Sequence, residues 1–172
     1  GYLEVAFLFN DVNITLQKLM RRMIYLLKLQ IEAIQQEDPQ TVEDIEFSID
    51  KLYILSKRII FAGMRNHKVR TENNITYDEE LFCYRDICKK IENIADVVYD
   101  LRGKELGKED VQSISSIPVC IEQLVFGKKL ELTESIFSKD AVIDTFFHSI
   151  NSLKKDIHYN MSTIRYAHQY FP

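Results

Sequence analysis

The chain has 172 residues, 46% of them hydrophobic and 28% charged, with a formal net charge of −4. That length suits one soluble globular unit with a core of its own. The acidic balance argues against nucleic acid as a partner of this stretch, and no apolar run approaches the roughly 20 residues of a membrane span.

Three cysteines, Cys83, Cys88 and Cys120, form no CxxC motif. Their odd number and spacing predict free thiols in a reducing, cytoplasmic compartment.

In chain order, residues 2–9 read YLEVAFLF. Residues 1–11 are taken as an N-terminal arm or the remnant of an upstream domain. Beyond them, the scarcity of glycine and proline and a recurrent 3.6-residue period predict helices throughout. The first is expected from about Val12 to Glu37, with Leu16, Leu19, Met20, Met23, Leu27, Ile31 and Ile34 as its apolar stripe. Lys18, Arg21, Arg22 and Lys28 read as its solvated face. Asp38-Pro39 ends it and opens the second helix, since proline suits a first turn. That helix should run to about Met64, with Val42, Ile45, Ile49, Leu52 and Ile59 inward and Gly63 and the polar stretch 65–75 ending it.

Thr76 to Glu79 spells a Thr-x-x-Glu capping box that should open the third helix. Its stripe is Tyr84, Ile87, Ile91, Ile94, Val98 and Leu101, and it fades at Gly103 and Gly107. A fourth segment covers about 110–137, where Pro118 either kinks the helix or marks its first turn. The fifth helix is expected from Asp140 to Tyr170. Positions 143, 146, 150, 153, 157, 160, 164, 167 and 171 are apolar except for Asn160, which is the pattern of a bundle seam. The aromatic residues Phe146, Phe147, Tyr166, Tyr170 and Phe171 exceed what one bundle face needs and predict a homodimer through this last helix.

The expected fold is therefore all-α: an elongated up-down bundle of about five long helices. Residues 12–107 make a first half and 108–172 a second, divergent or shortened one.

One pattern occurs twice. Residues 46–53 and 92–99 both read Glu-x-x-x-Asp-x-x-Tyr, from Glu46, Asp50 and Tyr53 and from Glu92, Asp96 and Tyr99. Residues four apart share a helix face, so each copy sets two carboxylates side by side, where they repel. Both pairs flank their apolar stripe in the same way. If the second and third helices are antiparallel neighbours, the two pairs converge in a groove and their pKa values rise unless a cation neutralises them. The arrangement points to a metal with oxygen ligands or to a salt-bridged seam. Asp144 and His148 form a further ligand-capable pair, and His158 and His168 follow on the same helix; lone histidines of this kind are more often structural. No phosphate-binding glycine loop, His-Glu-x-x-His motif or nucleophile–base set is present in the sequence, so no catalytic residue is predicted.

The segments carrying these pairs resemble the PhoU family of phosphate-uptake regulators. ITLQKLMRRMIYLLKLQIEAIQQEDPQ is similar to the family's opening helix and turn, and VEDIEFSIDKLYILSKRI to its second helix. LFCYRDICKKIENIADVVYDL resembles its Glu-Arg-Ile-Ala/Gly-Asp-His-Ala-Val-Asn-Ile signature, and the spelling is most like the archaeal branch that carries an AbrB-like DNA-binding domain upstream. The resemblance covers about residues 12–102. It implies two three-helix halves, with metal bound through Glu46, Asp50, Glu92 and Asp96. The metal would be a divalent or iron ion: zinc, iron, nickel or magnesium.

The chain departs from the family where Val97 replaces its histidine and Asp100 its asparagine. In the second half, LELTESIFSKD resembles the end of a fourth helix, and Ile164 to His168 could be a decayed metal motif. The resemblance implies a non-enzymatic adaptor in phosphate signalling and transcription regulation, working through protein partners of phosphate transport. Two alternatives stand beside it. One is a scaffold or dimerisation bundle whose acids form ion pairs. The other is a carboxylate-metal enzyme of the ferritin-like kind, which the absence of Glu-x-x-His argues against.

Overall fold

The computed structural model describes residues 14–127 and 141–170; for 141–147, 149 and 167–170 it describes the backbone alone. The expected N-terminal arm, the LELTESIFSKD segment and the side chains of Asp144, Phe146, Phe147, His168, Tyr170 and Phe171 lie outside the described residues. Every regular element among the described residues is a helix. In order they are α1 (Leu16–Gln35), α2 (Pro39–Arg65), α3 (His67–Glu72), α4 (Asp78–Tyr99), α5 (Lys108–Ser115), α6 (Ile117–Phe126) and α7 (Ala141–Tyr170).

Helix α1 occupies the middle of the bundle. Its buried residues run from Leu16 to Ile34 and cover much of its circumference, which suits a helix packed against α2, α4, α5 and α6. Lys18, Arg21, Arg22 and Lys28 are exposed, as expected for its solvated side. Thr15 caps its start by accepting from the Lys18 amide at 3.3 Å. It ends in a Schellman turn: Asp38 N donates to Ala33 O at 3.0 Å and Glu37 N to Ile34 O at 3.1 Å, with Glu37 at φ 55°. Asp38 then caps α2, accepting from the Thr41 amide and hydroxyl at 3.1 and 2.6 Å, and Pro39 takes the first turn.

Cross-helix pairs give the directions. Gln17 hydrogen-bonds Tyr84 and Gln30 donates to Ala95 O, so α1 and α4 run parallel. Ser56 meets Cys88 and Gly63 meets Leu81, so α2 and α4 run antiparallel, as the groove argument required. Asn160 bonds Asp86 and Lys90 pairs with Asp156 at 3.2 Å on neighbouring turns, and Asp96 shares a depression with His148, so α7 runs antiparallel to α4. Gln35 meets Ser115 and Arg21 meets Glu122, which sets α5 and α6 antiparallel to α1. The up-down order thus holds through α1, α2, α4 and the α5–α6 pair. Helix α7 then runs in the same direction as α6, a departure from strict alternation.

Several sequence expectations shift. Gly63 does not end α2. It is buried inside the helix, and a Cβ there would lie 3.0 Å from Leu81 Cδ2, so it is a close-approach position between α2 and α4. The polar stretch after it holds the short helix α3, because Asn66 ends α2 and caps the next turn through Lys68 N at 2.9 Å.

The cap of α4 falls one residue later than the Thr76–Glu79 reading. Buried Glu80 accepts from the amides of Thr76 and Tyr77 at 3.0 and 2.9 Å. The described part of the fourth segment, up to Gly127, is two helices, and Pro118 sits in the first turn of the second. Gly127 ends that helix, and Arg165 from α7 satisfies the carbonyls of Leu124 and Gly127 there. On α7, Ile150, Ile157 and Ile164 of the expected seam are buried; Asn160 instead bonds Asp86, and Met161 is buried beside it.

Candidate metal centre

The site lies where α2 and α4 pass each other near the N-terminal end of α2. Ile49 on α2, and Ile91 and Ala95 on α4, are buried. The residues that follow Ile45, Ile49 and Ala95 are Glu46, Asp50 and Asp96, which come out half-buried at the edge of the seam. One carboxylate oxygen from each of the three lies within 4.8 Å of the others. Two of the three come from one turn of α2 and the third from the neighbouring helix, so the backbone holds them together against their mutual repulsion.

That repulsion shows in the ionisation. Burial first, and then the charges of Asp50, Asp96, Glu92 and Glu43, push the Glu46 carboxyl above its ordinary range. Burial and Glu92 push Asp96 up, with Asp50 and Asp100 adding to the effect and Lys89 opposing it. The field of the four acids is therefore felt across the seam.

Glu92, the fourth acid of the repeated motif, takes a different part. It is only 8% exposed, and its carboxylate forms a close ion pair with Lys89, one turn earlier on α4. Burial would lower the Lys89 ammonium, but the hydrogen bond to Glu92 and the charges of Glu92 and Asp96 outweigh it and hold the group above its ordinary value. Lys89 also stands 5.1 Å from the centre of the Tyr53 ring, which it shares with Lys57 at 4.7 Å. Tyr53 of the α2 motif is thus a platform for cations rather than a ligand beside the acids. Tyr99 does the same for Arg102, at 3.6 Å.

The residues present fit a hard divalent ion. Oxygens on opposite sides of a calcium-sized ion stand about 4.6–5.2 Å apart and adjacent ones closer, so the observed spread matches one ion with water completing its shell. Three carboxylates and no described cysteine in the cluster favour an oxygen-seeking ion over a thiophilic one. His148, exposed on α7, borders the same depression as Asp96 together with Asn93 and Ser152. Its spacing with Asp144 drew attention in the sequence; the structure sets it across from Asp96 but outside the three-oxygen group. Asp156 on α7 is taken by Lys90, and His158, partly exposed, stands two residues beyond it, a full helix turn and more from the level of Asp96.

Cys83, Cys88 and Cys120 are free, and burial pushes the Cys88 thiol up to about 12. No described helix is long and apolar enough to cross a membrane. No protein-family model, curated protein or solved structure gives a significant match to this chain.

Proposed function

We propose that the chain is a non-enzymatic regulatory bundle of the PhoU kind, acting in phosphate signalling through protein partners and tuned by a divalent ion at Glu46, Asp50 and Asp96. The observation that carries this reading is the convergence of three carboxylates from two helices, with Glu46 and Asp96 both held above their ordinary pKa. Acids so placed are destabilising until a cation arrives, so ion binding would tighten the α2–α4 seam. The seam runs along both helices, so its tightening would reach surfaces a partner reads. The same residues carry the resemblance drawn from the sequence.

The test is phosphate uptake in cells carrying the chain. Glu46→Gln with Asp96→Asn should leave uptake unrestrained when phosphate is plentiful. Uptake indistinguishable from that of the parent strain removes phosphate signalling from the reading.

A second reading has an observation of its own. Lys89 already brings a cation to Glu92 and into the field of Asp96, so the acids could belong to an internal ion-pair seam of a plain scaffold. A protein whose stability ignores divalent ions would decide for it.

A further inference from the structure

Helix α2 has a second apolar line, opposite the one it buries. At about 100° per residue, Val42, Ile49, Ser56, Ile60 and Gly63 share the core side, and Phe47, Ile54 and Phe61 lie roughly 120–160° away. These three large side chains are 58%, 46% and 53% exposed, with the Lys51 ammonium over the Phe47 ring at 4.1 Å.

Their spacing is seven and seven, which makes the line symmetric about Ile54. Reflected through Ile54, Glu43 falls on Arg65 and Asp50 on Arg58, opposite charges in both cases, while Lys51 falls on Lys57. Residues 39–50 hold Glu43, Asp44, Glu46 and Asp50 and no base; residues 51–65 hold Lys51, Lys57, Arg58 and Arg65 and no acid. Acid-first, base-last order suits the helix dipole. It does not account for large apolar groups repeating every seven residues on the solvent side, which is the period of a helix-pairing seam.

We propose that this face of α2 is a self-association surface, on which a second copy of the chain packs its own α2 antiparallel across a two-fold axis at Ile54. An apolar line with mirror spacing, flanked by the opposite-charge mirror pairs Glu43/Arg65 and Asp50/Arg58, is self-complementary under that one operation, the condition for an isologous interface. Ile54 meets its own counterpart, Phe47 faces the partner's Phe61, and Glu43 faces the partner's Arg65. Lys51 falls opposite the partner's Lys57; both ammonium groups lean on rings of their own chain, Phe47 at 4.1 Å and Tyr53 at 4.7 Å, and stay in solvent. Asp50, one of the three ion-site acids, falls opposite the partner's Arg58 in this register, so the test variants are placed at Ile54, Glu43 and Arg65, outside the ion-site acids.

A single helix pair is a small interface, below about 1,200 Å², so the dimer is weak, with Kd on the order of 10–100 µM. Sedimentation equilibrium on the whole chain up to about 500 µM should show it. Ile54→Glu sets two carboxylates on the axis and should weaken association at least tenfold, with circular dichroism unchanged because the position is exposed. Arg65→Glu and Glu43→Lys should each weaken it, and the two together should restore it. A monomer at every concentration overturns the proposal. So does a dimer that Ile54→Glu leaves intact, which would place the contact elsewhere, as through α7. Failure of the double charge exchange to restore association overturns the antiparallel register, and binding of these residues to anionic phospholipid vesicles without self-association assigns the face to a membrane surface instead.

Discussion

Glu46 on α2 and Asp96 on α4 are fifty residues apart in the chain, yet carboxylate oxygens of the two lie within 4.8 Å of each other and of Asp50. The antiparallel passage of two helices makes this contact; beside burial, the charge of Asp96 helps raise the Glu46 pKa and the charge of Asp50 helps raise that of Asp96.

The first consequence is a dependence of stability on pH. Glu46 and Asp96 sit above their ordinary values of 4.5 and 3.8 in the folded chain. The folded state therefore holds protons that the unfolded state has released. Their contribution is fully present below the unfolded pKa values and is lost as pH rises through the folded ones. Metal-free protein with Asp96→Asn should be more stable than the parent at pH 7 by about 0.5 kcal/mol, the scale of one like-charge pair on a helix. Urea melts with a chelator present should show that gain, and it should vanish below about pH 3.5, where the parent carboxyl is protonated too.

Glu92 should behave unlike its neighbours. Its carboxylate is nearly buried and committed to Lys89. Glu92→Gln removes the charge that the ammonium faces and should cost about 1 kcal/mol at pH 7, the net value of a charge-assisted hydrogen bond discounted for the exposed half of Lys89. Thermal melts check this, and a gain in stability would contradict the pairing.

Glu37 closes α1 in the left-handed conformation, at φ 55°, where a side chain is strained and glycine is not. Glu37→Gly should stabilise the chain by about 1 kcal/mol. Gly63 is the reverse case. Valine there would push into Leu81 and should cost about 1–3 kcal/mol through overpacking. Chemical denaturation of the two variants should move the midpoint in opposite directions.

These two positions also show how far the sequence could be read. Pro39 marked the start of α2 because its missing N–H and fixed φ suit only a first turn, a local property. Gly63 looked like a stop, because a helix glycine reads the same whether it ends the helix or admits a neighbour; Leu81, eighteen residues later, decides. Thr76 and Glu79 matched a capping pattern, yet Glu80 took the amides, since either of two adjacent acids can reach back and only burial selects one.

The paired acids were legible from the i, i+4 spacing, and their convergence from the expectation that α2 and α4 are antiparallel. That Glu92 would turn to Lys89 was not, because the choice lies between rotamers. The exposed line of Phe47, Ile54 and Phe61 was overlooked: the inward stripe on the same helix absorbed the periodic signal.

The most direct measurement is calorimetric titration of chelator-treated protein with magnesium, calcium, manganese, zinc, iron(II) or nickel, paired with thermal melts. At least one ion should bind at one per chain and raise the unfolding temperature. Glu46→Gln with Asp96→Asn should abolish both effects, and Glu92→Gln should preserve them. Absence of binding up to about 5 mM of every ion, a concentration at which even weak calcium sites fill, would contradict the account, as would binding that the double variant leaves unchanged.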